Sequence, residues 1–76
     1  MNNTRRRQLL SLIPSIEDLA STLQDLEAEE QGCYDDTPES LKGSRNAMAS
    51  IYAGDYIGNA IGSLTEAIDY ITTAAE

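Results

Sequence analysis

The spacing of aliphatic residues in the second half of the chain narrows the choice of fold more than any other feature. Ile57, Ile61, Leu64, Ile68 and Ile71 follow one another at steps of four, three, four and three, the period of a helix that buries one seam. Ala53, Ala60, Ala67 and Ala74 recur every seven residues beside that seam, and Gly54, Gly58 and Gly62 recur every four on the same helix. Small residues beside an aliphatic row make a surface that another helix can approach closely. Three interior glycines each cost about 1 kcal/mol relative to Ala, so their presence predicts that packing demands them. Gly43 and Ser44 break and cap the entry, giving a helix over about residues 44–75.

The first half reads as a second amphipathic helix. Leu9, Leu12, Ile16, Leu19, Leu23 and Leu26 step three, four, three, four, three, with Ile13 and Ala20 widening the stripe. These leucines are the expected core face. Pro14 interrupts the pattern without shifting its phase, which predicts a kinked but continuous helix. The helix is expected over about residues 4–32, capped by Asn3 or Thr4 and ended near Gly32. Cys33 falls where the seam next points inward, so a buried thiol is expected there. Residues 33–43 form the linker; Thr37-Pro38 opens a single helical turn that reaches Leu41, which is expected to plug the end of the core.

Two long helices and a short linker predict an all-α fold: an antiparallel two-helix hairpin with a short helical turn in the connection. Helix two is apolar at three of every seven positions, more than one neighbour covers. Homodimerisation into a four-helix bundle is the expected remedy. The 76 residues make one small domain without Phe or Trp, so the core must be Leu, Ile and Ala. The single cysteine excludes an intrachain disulfide and fits a reducing compartment. No apolar run approaches the roughly 18 residues of a membrane span, and the apolar run after Arg5-Arg6-Arg7 is broken at Ser11 and Pro14, unlike a secretory leader. A cytoplasmic protein with no membrane partner is expected.

Charge is the second constraint. The net charge is −8, and the stretch from Glu17 to Glu39 holds most of the acids and no Lys or Arg. Such a balance argues against direct nucleic-acid binding, which draws its affinity from Lys and Arg at phosphates. Arg5, Arg6 and Arg7 sit at a helix start, and Glu27, Glu29 and Glu30 near the same helix's end, the reverse of what the helix dipole favours. An antiparallel hairpin improves both, because it brings the arginines toward Glu66, Asp69 and Glu76. Charge pairing across the hairpin is therefore expected at that end. The acidic end has only Lys42 and Arg45 nearby, which makes it the candidate partner-facing surface: Glu27, Glu29, Glu30, Asp35 and Asp36, joined by Tyr56 and Tyr70 as exposed contact residues.

Histidine is absent, which removes imidazole bases and His-ligated metals, and one cysteine cannot build a zinc cluster. Asp35-Asp36 with Glu39 lacks the alternating ligands and central Gly of a calcium loop, so neither a metal nor a cofactor is expected. The glycine spacing is helical and no Lys-Ser or Lys-Thr follows, so it is not a phosphate loop. These exclusions predict a protein that is not an enzyme.

Several segments carry a resemblance: Arg5-Arg6-Arg7-Gln8-Leu9; Leu26-Glu27-Ala28-Glu29-Glu30-Gln31 leading to Tyr34-Asp35; Pro38-Glu39-Ser40-Leu41; Ser44-Arg45; and Ile61-Gly62-Ser63-Leu64-Thr65-Glu66-Ala67-Ile68-Asp69-Tyr70. In these the chain resembles a family of small acidic helical proteins from phages, prophages and other mobile elements of gut Firmicutes. That resemblance implies a phage-encoded protein acting in a bacterial cytosol, with no functional residues to carry over. Joined to the charge pattern, it leads to the expectation of a non-enzymatic interaction protein that binds a host or defence protein, as an anti-defence inhibitor or adaptor. An alternative is an oligomeric binder that sequesters a nucleotide-derived immune signal. Its cleft would lie beside Gly54, Gly58 and Gly62, with Tyr52 and Tyr56 contacting the ligand and Arg5, Arg6, Arg7 or Arg45 countering phosphate. A purely structural oligomerisation module is the third reading.

Overall fold

The computed structural model describes the whole chain, Met1–Glu76, as two long helices lying side by side. Helix α1 spans Asn3–Asp35, a single 3-10 turn covers Glu39–Leu41, and helix α2 spans Arg45–Ala74. Together they form a rod 60 Å long and 14 by 12 Å across. The all-α antiparallel hairpin with a helical turn in its connection is thus the architecture observed.

Each helix starts at a side-chain cap. Asn2 Oδ1 accepts from the Arg5 amide at 2.8 Å, one or two residues earlier than the expected Asn3 or Thr4. Ser44 Oγ accepts from the Ala47 amide at 3.3 Å, as its place after Gly43 predicts. Both supply a partner to an amide that the first helical turn leaves orphaned. At the far end, α1 runs three residues past Gly32. The Asp36 amide donates to the Gly32 carbonyl at 2.9 Å and the Thr37 hydroxyl to the Cys33 carbonyl at 2.9 Å, so the last carbonyls are satisfied without a left-handed residue, and none occurs in the chain. Pro14 lies inside α1. Its side chain is exposed, so the ring displaces no packing and the helix continues through it.

The seam on α2 is the one its spacing predicts: Ile57, Ile61, Leu64, Ile68 and Ile71 are all half-buried. On α1 the seam falls one row away from the expected one. Leu9, Ile13, Ile16, Ala20 and Leu23 are half-buried, and the same three-four step continues into Glu27 and Glu30. Leu12, Leu19 and Leu26, expected in the core, stand exposed at 51, 58 and 43 %. A hairpin offers α1 only one neighbour, which covers one seam, and the leucine row lies outside it. Cys33 belongs to that same row and is exposed, not buried. Leu41 is also exposed; the 3-10 turn carries it past the helix ends, so it plugs nothing.

Only Ala47 and Ala75 are buried, and neither completely. Counting turns outward from the Glu27–Gly58 contact brings Leu9 level with Ala75, Ile13 with Ile71, Ile16 with Ile68 and Leu23 with Ile61. Beyond Glu27 the facing residues become small or polar: Glu30 is level with Gly54 and Tyr34 with Ser50. The rod is aliphatic where its two chain ends meet and polar toward its turn.

Candidate functional site

The change of seam from aliphatic to polar creates the site. Glu27 and Glu30 occupy inward positions on α1, and α2 presents Gly58 against Glu27 and Gly54 level with Glu30, so these long side chains face almost none. The space left is a notch of about 350 Å³ whose walls include Gln24, Glu27, Glu30, Gln31 and Tyr34 from α1 and Ile51, Gly54 and Asp55 from α2. Three carboxylates and two amides thus line one opening.

No cation inside the chain answers these carboxylates. The only ion pair is Lys42 Nζ to Glu39 Oε2 at 3.6 Å, and the same Nζ stands 5.2 Å from the centroid of the Tyr34 ring. Lys42 is therefore engaged at the turn, between an outward carboxylate and an aromatic face. Cross-hairpin pairing of Arg5, Arg6 and Arg7 with Glu66, Asp69 or Glu76 was expected and does not occur. Arg6 instead lies half-buried in the seam, donating from Nη1 to Asn3 Oδ1 at 3.3 Å, with its Nε unpartnered.

The expected partner-facing residues divide into three groups. Glu27 and Glu30 are half-buried in the notch. Glu29, Asp35 and Asp36 are exposed around the turn end, with Asp35 accepting from Gln31 Nε2 at 3.0 Å. Tyr56 and Tyr70 are exposed, as expected, but lie fourteen residues apart on α2, about 21 Å at helical rise, and do not join the acids in one surface. Asp55, Tyr34 and the two glutamines were missed. The continuation of the three-four step from Leu23 into Glu27 and Glu30 was the signal that could have found the notch.

Among the glycines, only Gly58 has a close neighbour: a Cβ there would lie 2.9 Å from Glu27 Oε2, whereas Gly54 and Gly62 face open space. Packing within the hairpin therefore demands glycine at one of the three positions, and there only against a mobile carboxylate. Tyr52 is exposed on the outward face of α2, and Arg45 is exposed at its start. Arg5, Arg6 and Arg7 stand some twenty residues along α1 from Glu27, about 30 Å away. Within one chain they cannot share a phosphate with Gly54 and Gly58, and a notch walled by carboxylates repels one. No group of three or more acidic or cysteine side chains is placed to hold a metal ion, and no helix is long and apolar enough to cross a membrane. No family model matches the chain, and neither a curated protein nor a solved structure shows significant similarity to it.

Proposed function

We propose that this hairpin is a non-enzymatic interaction module whose notch receives a cationic side chain from a partner protein. The observation that carries this reading is the pair Glu27 and Glu30: two carboxylates on the core seam, facing Gly58 and Gly54 and left without a cation. A folded chain loses stability by holding like charges together in a half-buried place, and a lysine or arginine from outside relieves that repulsion. A guanidinium suits the site best, because its planar fork can bond two carboxylates. The exposed acids Glu29, Asp35 and Asp36 around the turn extend the negative field and steer a basic partner toward the opening.

Charge, size and the resemblance to small acidic phage proteins support a host or defence protein of the bacterial cytosol as that partner, with the module acting as inhibitor or adaptor. A nucleotide in a glycine-lined cleft is the weaker reading, because the groups at Gly54 are acidic.

The test is affinity capture from bacterial lysate with the wild-type chain and with a Glu27→Gln, Glu30→Gln, Asp55→Asn triple variant. A stoichiometric protein that is retained by the wild type, released by salt and lost by the variant supports the reading. Equal capture by both chains overturns it, provided circular dichroism shows the variant to be as helical as the wild type.

A further inference from the structure

The hairpin has two broad sides, and they differ in charge. In an antiparallel pair the rows flanking the seam meet by side, each with its counterpart on the other helix. Gln24 and Gln31 share the notch side with Ile51 and Asp55. The opposite side therefore carries the exposed row Leu12, Leu19 and Leu26 next to Ala60, Ala67 and Ala74, with Tyr56 and Tyr70 along its outer edge. From Gln8 to Leu26 and from Ala49 to Ala74, the two rows of each helix that make this side contain no charged residue, although the chain has 13 acids. The notch side over the same lengths carries Glu17, Asp55 and Asp69.

We propose that the uncharged side seats a second copy of this chain, docked antiparallel, so that the two leucine rows meet each other and the two alanine rows meet each other. Three observations choose this occupant. The first is area: the chain exposes 5602 Å², whereas a compact protein of 8.3 kDa exposes about 4,600 Å². The excess of about 1,000 Å² is close to what each partner hides in a stable interface. The second is charge, since two copies each carrying −8 can meet closely only where neither presents acids.

The third is the order of the row itself. Arg5, Leu12, Leu19, Leu26 and Cys33 follow one another every seven residues, with Leu19 at the centre. A two-fold axis beside Leu19 sets Leu12 against the second copy's Leu26. It also brings Arg5 to the second copy's turn end, where Glu29 and Asp36 are exposed. A parallel pairing would stack the two acidic turns on each other. The notch faces away from this contact and stays open, so this inference does not depend on the cation-binding reading.

Sedimentation equilibrium and native mass spectrometry of the full chain test it. The expected mass is twice that of one chain. Leu19→Glu and Ala60→Leu, both at exposed positions of the hairpin, should raise the dissociation constant roughly tenfold or more with helical circular dichroism retained. Thr65→Glu, on the notch side, should leave the mass unchanged. In an Arg5→Cys variant under mild oxidation, the new thiol should link to the second copy's native Cys33; the two positions lie about 42 Å apart within one helix, so the link must be intermolecular. A monomeric wild type, an oligomer that both interface variants leave intact, or crosslinking of Cys33 only to Cys33 would each overturn the proposal. If the interface variants lose their helicity, the crosslink decides.

Discussion

Glu27 lies directly over Gly58: its Oε2 is 2.9 Å from the point that a β-carbon on that glycine would occupy. The acid on one helix and the missing side chain on the other are two halves of a single packing solution. Gly62, one turn further on, has no such neighbour. Gly62→Ala should therefore stabilise the hairpin by about 0.5–1 kcal/mol, the helix-propensity difference, raising Tm by several degrees in thermal unfolding followed by circular dichroism. Gly58→Ala should yield less, because the Glu27 carboxylate must swing aside first.

On the proposed reading, the acids on the seam exchange stability for binding. Replacing both, as Glu27→Leu with Glu30→Leu, continues the aliphatic seam toward the turn and removes a like-charge pair. The double variant should gain about 1–3 kcal/mol against denaturant and at the same time lose capture of a basic partner. A variant that gained stability and kept the partner would show that the notch is not where the partner binds.

Pro14 withholds one backbone donor from α1, leaving the Leu10 carbonyl without its helical partner, and its ring crowds that carbonyl. Because the helix continues unbroken on both sides and the ring is exposed, Pro14→Ala costs no packing. An increase in stability of about 1–3 kcal/mol is expected, read as a shift in the urea midpoint at unchanged m-value.

Salt should stabilise this protein. The single ion pair joins Lys42 to Glu39 within the connection, so screening removes almost no attraction between the helices. Repulsion among the acids of a chain with net charge −8 is screened instead. Raising NaCl from about 0.02 M to about 0.5 M, which shortens the Debye length severalfold, should raise Tm. A fall would mean that cross-helix attraction in solution exceeds what the one ion pair accounts for.

What could be read from the sequence follows from how many rows on each helix are apolar. On α2 the isoleucines at 57, 61, 68 and 71 occupy a single seam with alanine on one flank, and only one phase fits. On α1 the row of Leu9, Ile16 and Leu23 is common to two seams. One is completed by Leu12, Leu19 and Leu26, the other by Ile13, Ala20 and Glu27. Hydrophobicity favours the leucines; the hairpin takes the other row. Nothing local to α1 separates them, because the choice depends on which side α2 occupies. The misplacement of Cys33 follows from the same shift of one row. The acidic cluster was visible by composition, but its division into inward Glu27 and Glu30 and outward Glu29, Asp35 and Asp36 needed the correct phase.

The uneven seam also bears on how the chain finds its structure. A hairpin with its best contacts beside the turn can zip shut from there, closing only short loops at each step. Here the nearest aliphatic layer to the turn joins Leu23 and Ile61, and the strongest ones lie toward Asn3 and Ala74. The first encounter of facing aliphatic side chains must close a loop of nearly forty residues, and ahead of it only the smaller burial of Ala47, with half-buried Met48 and Ile51, offsets the lost entropy. Folding should be slow for so helical a molecule. Once formed, the rod should breathe at its covalently closed end, with amides beside the turn exchanging with solvent before those near the chain termini.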